Sequence, residues 1–109
     1  MENGMEFFTA TCLNWQPLLQ VDIHKNIIID SMRYLVSDKR VWIYGIVIIP
    51  NYIHLLWCKQ EAWIGKNIQQ MFLKDIAQQI KFNLIKNYPY ELINYKSTQA
   101  DREYQFWKR

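Results

Sequence analysis

Between positions 41 and 57 the chain reads Val41-Trp42-Ile43-Tyr44-Gly45-Ile46-Val47-Ile48-Ile49, then Pro50-Asn51, then Tyr52-Ile53-His54-Leu55-Leu56-Trp57. β-Branched and aromatic side chains fill this run, which suits a pleated strand and crowds the χ1 angles of a helix. Proline lacks an amide donor and fixes its φ, and asparagine accepts turn geometry, so Pro50-Asn51 divides the run into two consecutive strands. Each strand reads as buried on both faces, or as buried on one and functional on the other.

The flanking segments supply the remaining elements. Residues 6–13 form a strand with Phe8, Ala10 and Cys12 on one face and Phe7, Thr9 and Thr11 on the other, and Trp15 to Pro17 breaks it. Asp22 is expected to cap a helix whose apolar stripe is Ile28, Met32 and Leu35, supported by Ile23 and Ile27. This helix stops near Ser37, with Lys39 and Arg40 placed to suit the negative end of its dipole. A longer helix over about 67–87 carries Leu73, Ile76, Ala77, Ile80 and Leu84 at helical spacing and ends at Tyr88-Pro89. After a polar stretch at 94–100, residues 104–107 alternate as a short final strand. Strand, helix, strand, strand, helix, strand predicts an α+β, ferredoxin-like βαββαβ fold: an antiparallel sheet with both helices packed on one face and the other face open. Many unrelated functions use that fold, so chemistry must come from particular residues.

The 109 residues, half of them apolar, amount to a single domain over the whole chain. No segment approaches the roughly 18 uninterrupted apolar residues of a membrane span. Glu2 and Glu6 stand where a signal peptide would be basic, so a cytoplasmic protein is expected. Cys12 and Cys58 lack the paired spacing of a zinc site and read as buried thiols, with a disulfide between two strands as the alternative. The net charge of +3 is uneven: residues 1–57 hold four basic and five acidic groups, and 58–109 hold nine basic and five acidic. A polyanion facing the C-terminal half would suit this asymmetry, which proteins without nucleic-acid partners also show.

The segment Ile49-Pro50-Asn51-Tyr52-Ile53-His54-Leu55-Leu56-Trp57 resembles the Met-Pro-Asn-His-Val-His-Leu-like strand of the small tyrosine transposases (Y1, IS200-like, HUH-type) and their relatives associated with repetitive extragenic palindromes. Phe7-Phe8-Thr9, the stretch Leu73-Lys74-Asp75-Ile76-Ala77-Gln78-Gln79-Ile80-Lys81, and Arg102-Glu103-Tyr104-Gln105-Phe106-Trp107 extend the resemblance over nearly the whole chain. It implies a transposase domain that acts on single-stranded, hairpin-forming DNA as a homodimer with strands joined in a shared sheet. In that family two histidines one residue apart share a strand face and hold a divalent metal, Mg or Mn. The metal polarises a phosphate for attack by a tyrosine, which leaves a 5′-phosphotyrosine.

The two metal-pair positions fall here on Tyr52 and His54, so a tyrosine replaces the first histidine. A phenol with a pKa near ~10 is a poor ligand at neutral pH, which leaves His54 as the metal residue and weakens or abolishes metal binding. The family's nucleophilic tyrosine lies on a helix beyond the Phe-Trp strand, past Arg109, and neither Tyr95 nor Tyr104 takes its role. Tyr52 itself, beside His54, is a minor alternative nucleophile. The expectation is a truncated or degenerate transposase domain. The alternatives are a non-catalytic nucleic-acid-binding module and a plain structural or interaction domain.

On the second helix Gln70, Lys74, Gln78 and Lys81 share a face, and Lys74 and Gln78 fall inside the resembling stretch. A solvated face explains them equally well, but lysines and amides there can contact phosphates and bases. Trp63, between Lys59 and Lys66, is the aromatic best placed by sequence to meet DNA. Without the resemblance His54 reads as a histidine satisfied by a neighbouring strand, and His24 as a solvent-exposed residue.

Overall fold

The computed structural model describes residues 4–108, so Glu2 and Arg109 lie outside the described residues. Three strands form, β1 (Met5–Thr11), β2 (Val41–Ile49) and β3 (Tyr52–Lys59), with two long helices, α1 (Asp22–Ser37) and α2 (Ile68–Asn87). The sheet order is β1-β3-β2, antiparallel throughout. Pro50 and Asn51 make the tight turn between β2 and β3, and their carbonyls accept from the amides of Leu19 and Cys12, both at 2.9 Å. The turn that divides the strands thereby also ties down the connection that follows β1. The result is an α+β chain with both helices on one face of an antiparallel sheet, the ferredoxin-like layout.

The expected fourth strand at 104–107 is not a strand. It is reduced to isolated bridges between Cys12 and Trp107 and between Lys96 and Tyr104. The Leu13 amide donates to the Phe106 carbonyl at 2.8 Å and the Lys108 amide to the Thr11 carbonyl at 2.6 Å, so this segment meets only the far end of β1. The backbone of this segment is instead taken up by residues 95–97: the Gln105 amide donates to the Tyr95 carbonyl at 2.7 Å and the Ser97 amide to the Glu103 carbonyl at 3.0 Å, while the Trp107 indole Nε1 donates to the Leu73 carbonyl of α2 at 3.1 Å.

β3 lies between both other strands, and its alternation separates two faces. Ile53, Leu55 and Trp57 are fully buried beneath the helices, with Phe8 and Ala10 of β1 beside them. The Trp57 ring meets Phe8 at 5.1 Å and Phe72 of α2 at 5.5 Å, both edge-on, and its Nε1 donates to Glu6 Oε1 at 2.9 Å. Burying a tryptophan with its N–H satisfied avoids the ~1–3 kcal/mol cost of an unpaired donor. On the opposite face β3 presents Tyr52, His54, Leu56 and Cys58, and β1 presents Phe7, Thr9 and Thr11 across from them. From β2 come Trp42, Gly45, Val47 and Ile49. A bulge between Ile43 and Gly45 adds Tyr44 to the same open side. None of these side chains is charged.

Several local expectations shift. Asp22 is the first residue of α1, whose N-cap is Val21 with no side-chain cap, and Ile23 points outward. Ile28, Met32 and Leu35 form the buried stripe as expected. On α2 the deepest positions are Ile68, Phe72, Ile76, Ile80 and Leu84, whereas Leu73 and Ala77 are half-buried. A four-residue spacing drifts round a 3.6-residue helix, so the sheet takes one side of the apolar stripe and leaves the other beside a groove. Asn67 caps α2 by accepting from the Gln70 amide at 3.0 Å. Cys12 is buried and its thiol is pushed up to about 12 by desolvation. Cys58 is only half-buried, and neither cysteine is in a disulfide. Among the described residues no helix is long and apolar enough to cross a membrane.

His24 departs most from expectation, because it is completely buried rather than exposed. The Leu18 carbonyl can only accept, so Nδ1 carries the proton and donates to it at 2.7 Å. Nε2 then accepts from the Asn83 amide at 2.8 Å, and Asn83 accepts in turn from Asn87 at 2.6 Å. Protonating the ring would set Nε2–H against that amide donor in a dry site. Desolvation lowers the His24 pKa, partly offset by the Leu18 carbonyl and by Glu91. In the unfolded chain the ring takes up its proton near pH ~6.5. The resulting stability is therefore complete above that pH and is lost as pH falls below it towards the folded pKa. His24→Ala is expected to cost roughly 3 kcal/mol by stranding two polar partners and leaving a cavity. In urea melts across pH 5 to 8, the variant should also lose the wild-type acid-side decline in stability that His24 contributes.

Candidate functional site

Two places gather the residues singled out by sequence, and they lie on opposite sides of the sheet. At the first, Tyr52 and His54 share the open face of β3, as the period-two spacing requires, with ring centroids 4.6 Å apart. Thr9 of β1 is directly opposite His54, and its Oγ1 and the His54 Nδ1 are joined by a 2.5 Å hydrogen bond. Phe7 stacks on the imidazole at 6.0 Å and an interplanar angle of 26°. His54 thus has one ring nitrogen engaged by a hydroxyl, and its surroundings are aromatic.

This donor set is a poor fit for a divalent ion. Magnesium and manganese favour carboxylates and other hard oxygen donors, and the family's site uses two imidazoles. Here one imidazole stands beside a phenol, and among the described residues no three His, Cys, Asp or Glu side chains form a group that could hold a metal ion. The remaining candidate nucleophiles are placed elsewhere. Tyr95 is buried, tilted against Phe106 at 5.1 Å, and desolvation raises its pKa, with Cys12 and Glu91 adding to the shift. Tyr104 lies across the molecule from His54, beside α2.

The second place is a groove of about 880 Å³ between α2 and residues 101–107. Gln70, Lys74, Gln78 and Lys81 line one wall, so the helical offsets gather these four residues as expected. The other wall is Arg102, Tyr104 and Trp107, flanked by Asp101 and Glu103. Lys81 and Lys96 approach the Tyr104 ring with their ammonium groups 5.9 and 6.0 Å from its centroid. The C-terminal segment is bridged to the end of β1 at Cys12–Trp107 and tied to α2 by the Trp107 indole, which sets it beside the helix as the groove's second wall. Arg102 and Tyr104 fall within a resembling stretch of the sequence, but Tyr104 was expected in the final strand and Arg102 had no expected role, so their place opposite the lysines was missed.

Trp63 and Lys66 do not join this groove. Trp63 is half-buried, with the Arg40 guanidinium 4.3 Å above its ring; Arg40 also bonds Asp38 at 2.7 Å and Tyr34 at 3.1 Å. That arrangement clamps the start of β2 to the loop after β3. Lys66 is exposed, and its carbonyl accepts from Lys59 Nζ at 2.8 Å.

Comparison with models of known protein families finds no match, and no curated protein matches the chain.

The Trp107 indole ties the groove's second wall to α2, so Trp107→Ala is expected to lower stability by about 2 kcal/mol. Hydrogen exchange should show faster loss of protection at the Gln105 and Lys108 amides than in β3.

Proposed function

We propose that this chain is a cytoplasmic nucleic-acid-binding domain, related to the small tyrosine transposases, that holds hairpin-forming single-stranded DNA in the groove beside α2. The observation that carries this reading is the wall of Lys74, Gln78 and Lys81 opposite Tyr104 and Arg102. Lysines offer point charges to phosphates, glutamine amides can meet base edges, and a tyrosine face can stack a base. Asp101 and Glu103 line the same wall, and Asp101 pairs with Arg102 at 3.4 Å, so the attraction for a polyanion rests on Lys74 and Lys81. The excess of basic groups in residues 58–109 adds a favourable field on this half.

In this reading DNA is bound and not cut, and binding needs no Mg or Mn. His54 lacks a second imidazole beside it, and the Tyr95 hydroxyl is buried in its protonated form. The cleaving transposase domain, with a metal at His54 and a phosphotyrosine intermediate, is the second reading; the strand from Ile49 to Trp57 favours it.

Fluorescence anisotropy with a labelled DNA hairpin carrying a single-stranded flank tests both. Lys74→Ala with Lys81→Ala should weaken binding at least tenfold and flatten the log K against log salt slope by about 1.4 to 1.8, the value for two lost phosphate contacts. Affinity unchanged by the double substitution would refute the groove. A covalent protein–DNA adduct formed on adding manganese would replace the binding-only reading with the cleaving one.

A further inference from the structure

The open face of the sheet has not been given a role by the DNA groove, which lies on the helical side. Its exposed large hydrophobic side chains are Phe7 at 66%, Tyr44 at 60%, Trp42 at 53% and Val47 at 52%. They surround His54 and Thr9 and come from both strands that flank β3. Aromatic side chains present ~150–250 Å² each, so these three aromatics and the valine leave roughly 450 Å² in water. The largest apolar patch on a typical monomer is ~300–600 Å². A specific pair of proteins buries ~800 Å² on each partner, so these four side chains alone supply more than half of one partner's share of a standard interface.

The chemistry of the face narrows the occupant. With no Asp, Glu, Lys or Arg side chain on it, the face offers nothing to neutralise a phosphate backbone or a charged peptide. An uncharged, self-complementary surface is what a two-fold interface requires, because each residue must meet the same patch on its partner. Two sheets can also stack face to face at ~10 Å with interdigitated side chains, and the bulge that turns Tyr44 outward supplies a knob beside the hole at Gly45. Gly45 has open space where a Cβ would stand, so a partner's side chain has room to enter.

We infer that two copies of this chain associate through the open faces of their sheets, with Phe7, Trp42, Tyr44 and Val47 of each copy closing over the Thr9–His54 pair of the other. This differs from strands joined edge to edge in a shared sheet, which would leave the faces open. It is independent of whether the groove beside α2 takes DNA, and it leaves that groove on the outside of the pair.

Sedimentation equilibrium of the full chain at about 1 to 100 µM reads the association. The wild type should sediment at twice the 13.3 kDa monomer mass in the upper part of that range. Phe7→Glu and Tyr44→Glu, one at a time, should raise the dissociation constant at least 100-fold while the far-UV circular dichroism is retained. Hydroxyl-radical footprinting of the unmodified protein gives a second reading that needs no variant: oxidation of Phe7, Trp42 and Tyr44 should fall several-fold as concentration rises. A wild-type chain that stays monomeric at 100 µM would overturn the inference. So would a dimer whose Phe7, Trp42 and Tyr44 remain as reactive as in the monomer, which is the outcome expected of edge pairing or of association through the helices.

Discussion

β3 is the strand on which the rest of the molecule depends, because it is hydrogen-bonded on both sides and alternates without a break. Its odd positions, Ile53, Leu55 and Trp57, are wholly buried and receive α2 through the contact between Trp57 and Phe72. Its even positions, Tyr52, His54 and Leu56, are thereby committed to the other face. A register slip of one residue would exchange the two sets, putting an imidazole into the core and a tryptophan into water. The ladder to β1, which pairs Thr9 with His54, and the turn at Pro50-Asn51 both hold the register against that slip.

The same constraint separates the two surfaces to which roles are proposed. Once α2 is seated by its 68, 72, 76, 80 and 84 positions, its lysines and glutamines face sideways, and Trp107 brings the C-terminal segment up as a facing wall. That charged groove and the uncharged sheet face are divided by the full thickness of the core. Lysine side chains line the one, and no charged side chain stands on the strands' face at the other. His54 belongs to the uncharged side, within hydrogen-bonding distance of a threonine and stacked on a phenylalanine.

Where the sequence carried a strong period, the fold could be read from it. The two strands divided by Pro50-Asn51, the faces of β1, the end of α1 near Ser37 and the span of α2 all follow from alternation, helical spacing or a steric stop. Long-range preferences were not legible. Nothing local to His24 says that it will be enclosed: the Asn83 amide lies 59 positions away, and the Leu18 carbonyl, six positions earlier, reaches the ring only through the turn that joins β1 to α1. Residues 104–107 alternate like a strand, but their backbone pairs with residues 95–97 and touches only the end of β1. Trp63 looked available because its neighbours are basic; the stacking guanidinium comes from Arg40, 23 positions earlier. The lysine face of α2 was legible, whereas its opposite wall was hidden until the C-terminal segment had a place.

The division of labour between the faces is open to one direct measurement, amide chemical-shift mapping of the 15N-labelled chain as a DNA hairpin with a single-stranded flank is added. The account predicts shifts concentrated between Gln70 and Lys81 and across residues 101–107, with Phe7, Thr9, Val47 and His54 unchanged. Shifts centred on Thr9, Tyr52 and His54, with α2 unaffected, would contradict it and return the sheet face to the nucleic acid.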